Sequence, residues 1–250
     1  MTLLFRRLVP RAYPLFITAV LAAACNSSNT PTSPGSTPET STPAPDTSPS
    51  PSPNASDTAR YRLTFDATWS SATHPADFPA AAHFSALVGG THDGTVSFWR
   101  EGGLATTGIK DMAERGRTSP LDEEIAAAIR AGAAGRVAVG GGIGVSPGSI
   151  SLEFEISQRH SLATFVSMVA PSPDWFVGVT GLALFENGQW VGERRVELIP
   201  WDAGTDSGAT FTSPDRETAP RATISRILAA PLSPNGVARP MGTFTFTRLN

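Results

Sequence analysis

The chain has 250 residues and a formal charge of −3, with 19 Arg and Lys against 22 Asp and Glu, and it contains a single cysteine. A mildly acidic balance argues against general nucleic-acid binding. One cysteine excludes a disulfide framework within the chain, so stability must come from a packed core or a metal.

Residues 1–24 read as an export signal. Arg6, Arg7 and Arg11 form a positive start, and Leu15 to Ala24 form an apolar run too short to span a bilayer. The run ends at LAAAC. A signal ending in small residues directly before a lone cysteine resembles a bacterial lipobox, which makes Cys25 the expected lipidated first residue of the mature protein. Leu21 stands four residues before Cys25 where lipoboxes carry Leu three before it, so cleavage after an A-x-A triplet, leaving a free thiol, is the alternative. Removing the signal removes three arginines and no acids, which leaves 16 basic residues against 22 acidic ones, a charge of −6. The expected location is the cell envelope, exported and lipid-anchored. Asn26 after the cysteine, in place of the Asp that retains lipoproteins at an inner membrane, favours the outer membrane or cell surface. Residues 25–58, rich in Ser, Thr and Pro, cannot bury a core and are expected to be a disordered tether. The folded part is then 59–250, a usual size for one domain.

Strand patterns dominate that part. Tyr61 to Trp69 alternates, with Tyr61, Leu63, Phe65 and Ala67 facing one way. Thr95 to Trp99, Ser149 to Ile156, Ala163 to Val169, Val177 to Phe185, Trp190 to Leu198 and Thr243 to Leu249 also read as strands. ENGQ, Glu186 to Gln189, predicts a hairpin turn joining Val177–Phe185 to Trp190–Leu198. Two short helices are expected. One spans Thr106 to Arg115. The other spans Pro120 to Ala131, with Ser119 as a cap, Asp122, Glu123 and Glu124 in a first turn where the helix dipole favours acids, and Gly132 as the stop. The predicted class is all-β, an antiparallel sandwich of about eight strands with two short helices.

Two acidic turns carry the candidate chemistry. IPWDAGTDSG, Ile199 to Gly208, places Asp202 and Asp206 four residues apart around Gly204, and PSPDW, Pro171 to Trp175, offers Asp174. Calcium takes six to eight oxygens from carboxylates, carbonyls and water. The three aspartates could supply carboxylates if their loops meet at one end of the sandwich. An Asp bonded to its own turn backbone is the competing reading of the spacing.

THPADFP (Thr73 to Pro79), HFSALVGGTHDG (His83 to Gly94), FWREGGLATTGIKDMAERG (Phe98 to Gly116), PSPDWFVGV (Pro171 to Val179) and LIPWDAGTDSG (Leu198 to Gly208) together resemble the spondin domain of F-spondin and mindin, in order and approximate spacing, over about residues 60–228. The resemblance implies a spondin-like β-sandwich with a Ca2+ ion held by Asp174, Asp202 and Asp206. It also implies adhesion or matrix and cell-surface binding. The expected partner is an extracellular matrix component, a glycan or a cell-surface protein, and the expected membrane contact is through the lipid anchor. The chain departs from the family in lacking its cysteines and its thrombospondin-type repeats, and in the Gly-rich stretch Ala133 to Gly148.

Enzyme readings are weaker. Asp206-Ser207-Gly208 matches one aspartic-protease triplet, but that mechanism needs two carboxylates sharing a proton. Gly140 to Gly144 lacks the Gly-Lys-Ser/Thr of a phosphate loop, and no G-x-S-x-G elbow is present. His74, His83, His92 and His160 show no zinc spacing, and structural hydrogen bonding is favoured for them. Core or rim packing is the default for the five tryptophans, although Trp175 and Trp201 flank the acidic turns and could face a ligand. The expectation is a binding protein, not an enzyme. A metal-dependent hydrolase on the same scaffold and a purely structural envelope protein are the alternatives.

Overall fold

The computed structural model describes residues 55–250; the expected signal, Cys25 and residues 26–54 of the expected tether lie outside them. In chain order the elements are β1 (Thr58–Ala67), β2 (His83–Phe84), β3 (Val88–His92), α1 (Thr107–Arg115), α2 (Leu121–Arg130), β4 (Ala134–Val139), β5 (Gly148–Ser157), β6 (Leu162–Ala170), β7 (Trp175–Ala183), β8 (Phe185–Glu186), β9 (Gln189–Trp190), β10 (Glu193–Leu198), β11 (Trp201–Asp202), β12 (Ser225–Arg226) and β13 (Gly242–Arg248). The architecture is an antiparallel all-β sandwich. One sheet has the order β10-β13-β1-β5, and the other runs β12-β11-β7-β6-β3-β4, with β2 paired to β6.

The alternation in β1 sets the inner face of the first sheet. Tyr61, Leu63 and Phe65 are fully buried and meet Phe244 and Phe246 of β13 and Phe165 of β6 in the layer between the sheets. In contrast, β6 is buried at every position after Leu162. Ala163, Phe165 and Val169 face the first sheet, whereas Val166, Met168 and Ala170 join a second core with Ile109 and Met112 of α1 and Ile125 of α2. The helices therefore cover the outer face of the larger sheet. A strand covered on both faces reads as a continuous apolar run, as LATFVSMVA does.

The structure differs from the sequence expectation at several points. Thr95 to Trp99 is a loop: Phe98 and Trp99 both turn into the helix-side core, and the segment pairs with no strand among the described residues. The central strand β3, VGGTH, has no alternation and two glycines. A Cβ at Gly89 would lie 2.0 Å from the Thr164 carbonyl oxygen and one at Gly90 2.3 Å from that of Arg136, so these glycines permit the close approach of β6 and β4. ENGQ does turn the chain, in the two-stranded β8–β9 ribbon, but its flanks part: β7 stays in the larger sheet and β10 crosses to the smaller one. Ser119 does not cap the α2 backbone; its hydroxyl donates to the Glu123 carboxylate, and α2 starts at Leu121. Thr58, assigned to the tether, is the first residue of β1. The carbonyls of Ala55 and Ser56 are already held by Gln158 Nε2 at 3.1 Å, and that of Ser56 also by Trp190 Nε1 at 2.7 Å.

Candidate metal centre

β11 brings the two acidic turns together. After β10 ends in the smaller sheet, Ile199 and Pro200 carry the chain back to the larger one. There Trp201 pairs with Phe176 and Asp202 with Trp175, at the start of β7. Asp174 is thereby set beside Asp202, and the Ala203 N–H donates to the Asp174 carbonyl at 3.1 Å. The contact thus comes from a strand that changes sheets, not from a hairpin.

The turn itself is built by its small residues. Asp202 Oδ1 accepts from the Gly204 N–H at 2.7 Å, closing a local Asx turn. Gly204 has φ of +73°, and a Cβ there would lie 2.4 Å from the Ala222 carbonyl oxygen, so both conformation and space require glycine. The next two residues point their N–H groups at Asp174: its Oδ2 accepts from Thr205 N at 2.7 Å, Thr205 Oγ1 at 3.2 Å and Asp206 N at 3.0 Å. Asp174 is 0% exposed, and its Oδ1 has no partner among the described residues.

Asp206 is used differently. Its Oδ1 accepts from Gly208 N and its Oδ2 from Arg216 N, both at 2.7 Å. The side chain therefore closes the excursion 207–216, assisted by Ser207 N donating to the Arg216 carbonyl at 2.8 Å. Phe211 anchors the excursion against Trp69 and Trp175, with ring centroids 5.5 and 5.4 Å apart.

The electrostatics follow from this packing. Burial, and then the charge of Asp202, push the Asp174 carboxyl up to about 6 in spite of its three hydrogen bonds. Burial raises Asp202 as well, opposed by the Gly204 N–H and reinforced by Asp206. Ionised Asp174 in place of an ordinary carboxylate costs about 3 kcal/mol. A buried, unpartnered carboxylate oxygen beside a second carboxylate suits a hard cation. Among the described residues no three Asp, Glu, His or Cys side chains form a closed ligand group. A cation here would take its remaining oxygens from carbonyls and water, as calcium commonly does.

The other candidates have structural partners. His92 Nδ1 bonds the Asp93 carbonyl at 2.7 Å and its Nε2 meets Thr164 Oγ1 at 2.8 Å; His83 Nδ1 bonds the Ala81 carbonyl at 2.7 Å. His74 Nδ1 meets Thr73 Oγ1 at 3.0 Å, and His160 Nε2 meets the Gly132 carbonyl at 3.0 Å. Trp175 and Trp201 are 3% and 9% exposed, so they pack in the core and do not present open faces to a ligand. Glu124 lies in the first turn of α2 with Asp122 and Glu123, as expected, and also serves α1: it accepts from Gly108 N at 2.8 Å and Thr106 Oγ1 at 2.7 Å.

The pattern of the family described as Spondin_N matches residues 59–239. Spondin-2 of Rattus norvegicus is 39% identical over 195 residues, covering 76% of this chain and 58% of that protein. Spondin-2 of Homo sapiens is 38% identical over 195 residues, covering 76% of this chain and 57% of its own length. Spondin-1 of Mus musculus is 41% identical over 177 residues, covering 67% of this chain and 21% of that protein. The chain thus spans less than two thirds of these curated relatives.

Proposed function

The chain belongs to the Spondin_N family, and from that premise we propose that it is an exported binding module whose loops are organised by calcium, acting in adhesion to an extracellular matrix component, a glycan or a cell-surface protein. The observation that carries the metal reading is the buried Asp174 Oδ1, which has no donor among the described residues and lies beside Asp202. Asp174 and Asp202 would hold the ion directly. Asp206 would contribute through its remaining lone pairs while its hydrogen bonds fix the 207–216 excursion. The ion would neutralise the buried carboxylates and thereby hold the two turns in register as part of a binding surface.

The tethering half of the proposal rests on the LAAAC sequence: Cys25 carries the lipid, and the Ser/Thr/Pro-rich stretch holds the domain off an outer membrane or cell surface. Metabolic labelling with a fatty acid should mark the protein, and Cys25→Ser should release it from the membrane. Calorimetry of the full chain with calcium tests the metal half. Heat of binding and a higher melting temperature in calcium than in chelator are expected, both lost in Asp202→Asn; no heat and no difference would sink the reading.

A further inference from the structure

The segment 94–106, between β3 and α1, surrounds a cavity of about 420 Å³, a size within the range of small-molecule sites. Because the segment is not a strand, its amides have no ladder. The backbone N–H groups of Val96, Ser97, Phe98, Trp99 and Arg100 donate to no protein acceptor among the described residues. Val96 is half-buried and Phe98 and Trp99 are buried, so their amides need an acceptor from water or a ligand, whereas Ser97 and Arg100 are exposed.

The side chains add charge of one sign. Arg100 is exposed and forms no salt bridge among the described residues. Its stem runs over Gly103, where a Cβ would lie 3.0 Å from Arg100 Cγ and 3.5 Å from Nε. The nearby acids are already engaged. Glu101 pairs with Arg226 at 3.2 Å, and Asp93 Oδ1 accepts from Thr95 N at 2.8 Å and Thr95 Oγ1 at 2.5 Å. The Gly108 and Ile109 donors in the first turn of α1 are not part of this feature, since Glu124 and Thr106 take them. Trp99 lines the cavity at 4% exposure, its indole N–H without a partner among the described residues, and Leu104 stands at the rim, 63% exposed.

We propose that this cavity is a binding subsite for an acidic saccharide, whose oxyanion, a carboxylate or a sulfate, is received by the Arg100 guanidinium and the amides of Val96 to Arg100. Arg offers planar paired donors suited to either oxyanion. Leu104 supplies an apolar contact for the C–H face of the sugar. The subsite uses none of the three aspartates, so it stands whether or not a metal binds them.

The test is an NMR titration of the full chain in chelator, with a glucuronate-containing disaccharide, its sulfated counterpart and a neutral disaccharide of the same size. The acidic sugars should move the amide signals of Val96 to Arg100 and the Trp99 indole signal, and the neutral sugar should not. Response to the uronate alone assigns the site to carboxylate, and response only to the sulfated sugar assigns it to sulfate. Arg100→Ala should weaken binding about tenfold or more, and Arg100→Lys by less, since the charge stays and the fork is lost. Arg62→Ala, on the outer face of β1, is the control and should change nothing. Signals that stay still at 96–100, equal binding of the neutral sugar, or equal loss in Arg62→Ala would each overturn the proposal.

Discussion

Glu124 and Asp174 are both carboxylates that accept a backbone N–H and a threonine hydroxyl, yet the molecule uses them in opposite ways. Glu124 divides its bonds, one oxygen to Gly108 and the other to Thr106, and it remains partly open to water. Asp174 gathers three donors on one oxygen, leaves the other bare in the interior, and faces a second carboxylate. The first acid completes a helix end and needs nothing more. The second carries a standing cost that only a proton or a cation removes. What separates a structural acid from a candidate ligand is therefore the balance of its two oxygens, not its number of hydrogen bonds.

Replacing the two acids by their amides makes the contrast measurable. Asp174→Asn removes the buried charge and keeps an acceptor. In chelator at pH 7 it should stabilise the protein by up to about 3 kcal/mol, and it should abolish the response to calcium. Denaturant unfolding in chelator and in calcium reads both effects, and a variant less stable than the parent in chelator would break the comparison. The pH dependence has a definite sign. The folded-state value of about 6 lies above the unfolded one near 3.8, so the folded form binds the proton more tightly. Stability from this group is full below about pH 4 and is lost as pH rises through 6. The parent should therefore lose ground to Asp174→Asn over that window, and calcium should offset the loss above it.

Glu124→Gln should do the reverse of Asp174→Asn. It weakens a charge-assisted cap and should cost about 1 kcal/mol, the same in calcium and in chelator. Any calcium dependence of that cost would blur the distinction. Asp206→Asn should have the smallest effect on global stability, below about 1 kcal/mol, because the amide still accepts one of its two backbone bonds. Its effect should appear locally, as faster proteolysis within 207–216, with calcium affinity reduced but not lost.

Much of the sandwich was legible because β1, β5 and β13 alternate and bury one face, and β6 is long and apolar. The misses have particular causes. Thr95 to Trp99 has strand-like aromatics, but consecutive Phe98 and Trp99 are both drawn into the helix-side core. Gly89 and Gly90 hide β3 because the close backbone approach that calls for them is tertiary. ENGQ marks a reversal correctly, but a turn reports local direction and not which sheet its flanks join. The acidic turns stood out as a pair in the sequence. That Asp206 closes a loop onto Arg216 could not be read there, since the donor lies ten residues on in a stretch without periodicity. Glu124 sits in the first turn of its own helix as expected, but its second task at α1 could not be read, because α1 becomes its neighbour only on folding.

The chain enters the domain at Ala55 and Ser56, beside Trp190 and Gln158, whereas the acidic turns lie by Trp69 and Phe211, past the far end of β1. β1 has ten residues, about 33 Å of extended backbone, and it pairs with β5 along its whole length and with β13 from Tyr61 onward. A pull between a partner on the acidic turns and an attachment at the start of β1 therefore runs along that strand. The ladder bonds on both sides lie across the pull and would be strained together in shear, not opened one at a time as in unzipping. The strand order thus sets the β1 ladders in shear against any load between the proposed tether and the proposed binding surface.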